Sequence, residues 1–97
     1  MASARYSGDA ELDLAEILHF SKLHWTSERS ISYVKKLRDA GRMLAKSPGI
    51  ARAFGPLHPE TRRYEVGSHV IFFRIEAGGI FVLRILHERM LPQKHLS

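Results

Sequence analysis

The stretch from Arg62 to His87 constrains the fold of this chain more than any other. It holds two strand-length runs of β-branched and aromatic residues, at positions 70–75 and 80–86, bounded by Gly67-Ser68 and Ala77-Gly78-Gly79. The spacing predicts three consecutive strands joined by two tight glycine turns. The runs hold too few polar residues for a sheet with one solvent-exposed face, because alternation of buried and exposed side chains would leave every second position polar. We therefore expect both sheet faces to be covered, by this chain or by a partner.

Two amphipathic helices are predicted upstream of this stretch. The first runs from about Gly8 to Trp25 with Ser7 as its cap, and the second begins at Thr26-Ser27 and ends at Ser47-Pro48-Gly49. Their apolar stripes are Ala10, Leu14, Ile17, Leu18 and Trp25 in the first helix, and Ile31, Val34, Leu37, Gly41 and Leu44 in the second.

The short link between these helices predicts a helical hairpin. Residues 4–7 form a candidate strand beside the other three. We predict an α+β fold in which an N-terminal strand and a two-helix hairpin pack on a small antiparallel β-sheet.

Length and composition limit the classes of protein. Ninety-seven residues predict a single domain over residues 1–97, with a short basic tail at residues 88–97. The chain has no cysteine, which excludes disulfides and thiolate metal sites and suits a reducing cytosol. It shows neither a signal-peptide pattern nor a run of about 18 apolar residues, so we expect a cytoplasmic protein outside the membrane.

The formal net charge of +5 favours an acidic partner. Nucleic acid, an acidic protein surface and an acidic peptide all satisfy this condition. The spacing of His19, His24 and His58 forms no ligand set with carboxylates, so we expect neither a metal nor a cofactor.

The order of these features resembles a known toxin family. The most specific segments are GSHVIFFR at Gly67 to Arg74, RILH at Arg84 to His87, and SPG at Ser47 to Gly49. Together with the two helices before them, they resemble the ParE toxins of the RelE/ParE toxin superfamily over nearly the whole chain.

This resemblance implies a toxin of a type II toxin–antitoxin module. ParE-like toxins inhibit bacterial DNA gyrase and are neutralised by a ParD-like antitoxin. We expect that antitoxin to be acidic and amphipathic, to fold on the toxin and to form a hetero-oligomer with it. The superfamily also contains RelE-type ribonucleases that cut messenger RNA on the ribosome, and a non-toxic binding module with the same fold is a third alternative.

Ribonuclease activity needs groups that move protons and positive charge that stabilises the phosphate. RelE-type members place basic residues on the first two strands of the meander, and an arginine and a tyrosine after the last strand. By this resemblance a second basic residue would be expected after Arg63, but Tyr64 and Glu65 stand there. His69 stands where an arginine would be expected, and no tyrosine follows Arg89, where the tail offers His95 instead. The incomplete set favours a toxin that is not an enzyme. If the chain were a ribonuclease, its candidate catalytic residues would be Glu65, His69, Arg84, His87 and Arg89.

Contacts with the target or the antitoxin are assigned to one aromatic residue and several basic residues. These are Trp25, Arg62, Arg63, Arg74, Arg84, His87 and Arg89. Each has an alternative role, because Trp25 suits core or hairpin packing and arginines on strands often pair with nearby carboxylates.

Overall fold

The computed structural model describes residues 2–55 and 59–90, which form two α-helices and one five-stranded sheet. The helices are α1 (Gly8–His24) and α2 (Ser27–Lys46), and a 3₁₀ turn, Pro48–Ile50, follows α2. The strands are β1 (Ser3–Tyr6), β2 (Arg52–Ala53), β3 (Arg62–Val66), β4 (His69–Glu76) and β5 (Gly79–His87). They lie in the order β1-β5-β4-β3-β2.

The predicted α+β class and the three-stranded meander are confirmed. Strands β3, β4 and β5 pair antiparallel, with Val66 opposite His69 and Glu76 opposite Gly79 at the two turns. The tail predicted at residues 88–97 is described only as far as Met90, so Pro92 and His95 lie outside the described residues.

The sheet is mixed, and the direction of its N-terminal strand was left open by the prediction of a small antiparallel sheet. The edge strand β1 pairs with β5 in parallel, with Ser3 opposite Gly79. Immediately after β1, Ser7 donates its amide to Val82 O at 2.9 Å and its hydroxyl to Leu83 O at 2.7 Å. The same hydroxyl oxygen accepts the amide of Ala10 and caps α1. These contacts hold the end of β1 against β5 in the parallel direction. Composition carries no information about strand direction, so the sequence did not predict it.

The helical hairpin packs on one face of the sheet and forms the main core there. Leu37, Gly41 and Leu44 are buried as predicted, and a β-carbon at Gly41 would displace the Tyr6 hydroxyl. Ile31 was assigned to the buried stripe, but it is 55% exposed. Ser30 is buried instead, because its hydroxyl is satisfied by donating to Thr26 O at 3.0 Å.

The opposite face of the sheet carries a smaller apolar cluster. Val70, Phe72 and Leu86 are buried on this face, and Phe54 packs its ring edge-on against Phe72 with 5.2 Å between ring centroids. Both faces of the meander therefore hold buried residues, as the apolar runs predicted. Neither described helix is long and apolar enough to cross a membrane.

The parallel pairing of β1 depends on the absence of a side chain at Gly79. This residue has a φ of +150°, and a β-carbon there would collide with the backbone of Ser3. We expect Gly79→Ala to lower the free energy of unfolding by about 2–3 kcal/mol in urea denaturation. Gly8→Ala is the matched control, because a β-carbon at Gly8 meets no atom. Equal stability of the two variants would contradict this account.

Candidate functional site

An open groove lies between the helical hairpin and the sheet. Its volume is about 540 Å³, and it is bounded by the second half of α1, the start of α2, the β3–β4 turn and the end of β5. Its apolar lining residues are Ile17, Phe20, Trp25, Ile85 and Met90. Its polar lining residues are Asp13, Glu16, Ser21, His24, Tyr33, Ser68, His69, Arg84 and His87. Phe20 is 64% exposed, so the groove has a large apolar side chain open to solvent.

The inner end of the groove is organised by an ion pair between α1 and β5. Asp13 accepts hydrogen bonds from two guanidinium nitrogens of Arg84 at 2.8 and 2.9 Å, and from the amide of Ile85 at 2.9 Å. The hydrogen bond with Asp13 raises the pKa of Arg84 above its ordinary value, so the guanidinium stays charged. Three bonds to one carboxylate fasten the helix to the strand.

A β-bulge in β5 lies beside this ion pair. Phe73 pairs with Val82 and Phe72 with Arg84, which leaves Leu83 as the extra residue. A bulge interrupts the hydrogen-bond ladder and changes the direction of nearby side chains. Here the Arg84 side chain and the Ile85 amide both reach Asp13. The bulge therefore allows two neighbouring residues of β5 to donate hydrogen bonds to the same buried carboxylate.

Two histidines stand next to each other at the outer end of the groove. His69 and His87 are opposite residues on β4 and β5, and their ring centroids lie 5.5 Å apart in an edge-to-face arrangement. Nδ1 of His69 lies 2.7 Å from the Tyr33 hydroxyl, which also accepts the amide of Ser68 at 3.2 Å. Nδ1 of His87 accepts the amide of Arg89 at 3.2 Å. Burial, followed by the neighbouring His87, lowers the pKa of His69.

Aromatic contacts close the hairpin end of the groove. Trp25 follows α1 as its C-cap residue, and its ring packs against Tyr33 with 5.7 Å between centroids. The guanidinium of Arg29 lies 4.4 Å from the centroid of Trp25. Trp25 is 36% exposed, so it packs at the hairpin turn and also presents a surface to the groove.

The groove brings together four of the predicted site residues. Trp25, His69, Arg84 and His87 line it. The other predicted residues lie elsewhere. Arg62 donates to Ala51 O at 2.9 Å, Arg63 donates to Glu65 at 3.2 Å, and the guanidinium of Arg74 lies 4.9 Å from the Phe81 ring centroid. Arg89 contributes its backbone amide to His87, and its side chain does not line the groove.

The conditional catalytic set is divided between the two faces of the sheet. Glu65 is opposite Val70 on the face away from the helices, whereas His69 and His87 lie on the helix side. Glu65 pairs with Arg63 and lies 3.7 Å from Arg52. Across residues 2–55 and 59–90, no three His, Asp or Glu side chains are placed to hold a metal ion.

Asp13 and Tyr33 were not recognised as parts of the site. Asp13 lies three residues after Ala10 and four before Ile17, on the buried stripe of α1, and is only 8% exposed. A carboxylate within an apolar stripe is the signal that indicates a buried partner. Tyr33 had no comparable signal, because its contacts with Ser68 and His69 join segments that are distant in sequence.

Removal of the Asp13 carboxylate tests the role of the ion pair. We expect Asp13→Ala to lower the free energy of unfolding by about 3–5 kcal/mol, because it leaves a largely buried guanidinium and the Ile85 amide without this acceptor. Thermal or urea unfolding measures the change. Asp39→Ala is the control, since Asp39 pairs with Lys35 and Arg42 at the exposed surface of α2. A similar loss in both variants would contradict the proposed role.

Titration of His69 gives a second test. Its folded pKa is lowered, so the unfolded chain takes up this proton at higher pH than the folded chain. We expect its contribution to stability to be complete above about pH 6.5 and to be lost as the pH falls below that value. NMR titration should give a pKa for His69 that rises in His87→Gln, because the like charge is removed. An unchanged pKa would contradict the coupling of the two rings.

Comparison with known proteins gives consistent matches along the chain. The family model described as ParE toxin of type II toxin-antitoxin system, parDE, matches residues 4–92. Toxin ParE1 of Caulobacter vibrioides is 32% identical over 97 residues, which cover 100% of both chains. Toxin ParE1 of Mycobacterium tuberculosis is 34% identical and covers 97% of this chain and 99% of its own. Toxin ParE of Escherichia coli is 31% identical over 87% of this chain and 82% of its own.

Two solved structures have a similar fold. One belongs to the chromosomal ParDE TA system from P. aeruginosa, with a TM-score of 0.74, 20% identity and coverage of 90% of this chain and 96% of that one. The other belongs to the toxin-antitoxin complex RelBE2 from Mycobacterium tuberculosis, with a TM-score of 0.64, 17% identity and coverage of 89% and 96%. At such low identities the likeness concerns the fold alone.

Proposed function

Because this chain belongs to the ParE toxin family of type II toxin–antitoxin systems, we propose that it inhibits DNA gyrase by binding and that a ParD-like antitoxin neutralises it. The proposed location of both proteins is the cytoplasm. The toxin and the antitoxin form a hetero-oligomer, and neither a metal nor a cofactor takes part.

The open groove is the observation that carries the antitoxin proposal. Exposed Phe20 and partly exposed Trp25 flank a groove of about 540 Å³ that is also lined by polar groups. Such a groove suits an amphipathic segment that inserts apolar side chains, which is a common mode of peptide recognition. The net charge of +5 favours an acidic segment. The two structural neighbours come from a ParDE system and a toxin–antitoxin complex, which supports a partner of this kind.

The candidate catalytic residues lie on two different faces of the sheet, which supports inhibition by binding and not by catalysis. Glu65 lies on the opposite sheet face from His69 and His87, so these three groups cannot act on one phosphate. Arg84 is engaged by two hydrogen bonds to Asp13. The groove therefore offers two histidines and a tyrosine, and its Arg84 guanidinium is already bound to Asp13.

The proposed gyrase contacts are the predicted basic residues outside the groove, namely Arg62, Arg63, Arg74 and Arg89. Arg74 is the strongest candidate among them. It is exposed on β4, and its guanidinium packs near Phe81 on the neighbouring strand. An arginine supported by an aromatic ring loses less freedom on binding, which makes it suited to a protein interface.

A gyrase assay and a translation assay together test this function. Purified protein is added to a gyrase supercoiling reaction and, separately, to a translating extract whose messenger RNA is mapped for cuts. We expect supercoiling to be inhibited and the messenger to remain intact. Codon-linked cuts with normal supercoiling would establish the ribonuclease alternative, and no effect in either assay would favour the non-toxic binding module.

An arginine variant then tests the proposed contact surface. We expect Arg74→Ala to raise the concentration needed for half-inhibition of gyrase by about tenfold. Arg42→Ala is the matched control, because Arg42 is an exposed arginine on α2 that pairs with Asp39. Circular dichroism confirms that both variants are folded. Equal inhibition by both would remove Arg74 from the interface.

A further inference from the structure

Nδ1 of each groove histidine makes a hydrogen bond within the protein. The Arg89 amide donates to Nδ1 of His87, so the neutral His87 ring carries its proton on Nε2. The Tyr33 hydroxyl accepts the Ser68 amide, can donate to Val66 O at 3.4 Å and has its shortest contact with Nδ1 of His69. The tautomer of neutral His69 depends on which partner takes the hydroxyl proton, whereas a charged ring carries an N–H on both nitrogens in either case. Nε2 of each ring is therefore the nitrogen that can donate to an anionic ligand.

The position of the rings makes these two donors available to one ligand. His69 and His87 are cross-strand neighbours, their centroids are 5.5 Å apart, and both line the groove. Burial and the neighbouring His87 lower the pKa of His69 in the free protein. A group that accepts two hydrogen bonds and carries negative charge would satisfy both rings.

The other charged groups around His69 and His87 neither replace them in binding a carboxylate nor prevent that binding. From α1, Asp13, Glu16 and His24 face the groove, and Tyr33 faces it from α2. Arg84 faces it from β5, but its charge is balanced by Asp13 at 2.8 Å. Glu88 lies close enough to act on His69 electrostatically, and Arg89 follows it in the turn after β5. Glu16 and Glu88 are exposed, so water screens their repulsion of an incoming anion.

We propose that His69 and His87 form a carboxylate-binding pair, which receives an acidic side chain of the antitoxin segment in the groove. This inference rests on the proposed function and adds the chemistry by which the partner is recognised. Apolar side chains of the segment contact Ile17, Phe20 and Trp25, while one Asp or Glu carboxylate accepts the Nε2–H groups of both rings.

Such a contact couples binding to proton uptake. A carboxylate beside the two rings favours their charged forms, so the pKa of the pair is higher in the complex than in the free toxin. Binding therefore takes up protons, and affinity increases as the pH falls toward the pKa of the bound histidines. Uptake of one proton tightens the complex by about tenfold per pH unit between the free and bound pKa values.

The experiment uses the full chain and, as the titrant, a separately purified small acidic protein of the ParD antitoxin family. Isothermal titration calorimetry measures the Kd from about pH 8 to about pH 6, in two buffers with different ionisation enthalpies that report proton uptake. We expect the Kd to fall by about tenfold over this range, with net proton uptake. In the His69→Gln/His87→Gln variant, we expect the pH dependence and the proton uptake to be lost.

Control variants separate the pair from the other histidines. His19→Gln changes an exposed histidine outside the groove and should keep the full pH dependence. His24→Gln tests the third groove histidine, whose ring packs on Phe20 with 4.7 Å between centroids. We expect the pH dependence to remain in this variant. If the double variant does not fold, His87→Gln alone should reduce the proton uptake.

The outcomes distinguish this inference from the function on which it rests. Tight binding with no pH dependence, or a pH dependence that follows His24, would overturn the carboxylate-binding pair and leave the antitoxin proposal intact. Failure of the acidic protein to bind the toxin at any pH would overturn both.

Discussion

The three hydrogen bonds to Asp13 connect the helical layer to the sheet. They join α1 to β5 at the bulge and satisfy a carboxylate that is 8% exposed. A buried ion pair of this kind adds little net stability compared with an apolar pair of similar volume, but loss of one partner is costly. The main effect of the contact is positional, because it determines where α1 crosses the strand and therefore where the groove opens.

The groove lies where the helices no longer cover the sheet, beyond the Asp13 contact. Apolar packing by Leu14, Leu37 and Leu44 seals the centre of the sheet, while the outer ends of β4 and β5 carry His69 and His87 into a space bounded by Trp25. An apolar wall beside two histidine rings suits the binding of another macromolecule. The same arrangement separates Glu65 from the histidines, which is consistent with a toxin that does not cleave its target.

Much of the fold was predictable from local patterns because each pattern has a local cause. Glycine-bounded apolar runs produced the β3–β5 meander, and Ser7 and Thr26 cap the two helices. Ile31 was predicted to be buried, but Ser30 is buried in its place. This was not predictable, since a serine can be buried when its hydroxyl reaches the preceding turn. Of the candidate site, four predicted residues meet in the groove, although Asp13, which orients Arg84, was overlooked.

Residue order alone established two capped helices, three strands, a basic charge and the resemblance to ParE toxins, because propensity, periodicity and short motifs are properties of neighbouring residues. Tertiary structure decided the parallel direction of β1, the bulge at Leu83 and the meeting of Tyr33, His69 and His87. These features depend on strand register and on contacts between segments far apart in the chain. A shift of one residue in register would move every side chain of a strand to the other face of the sheet.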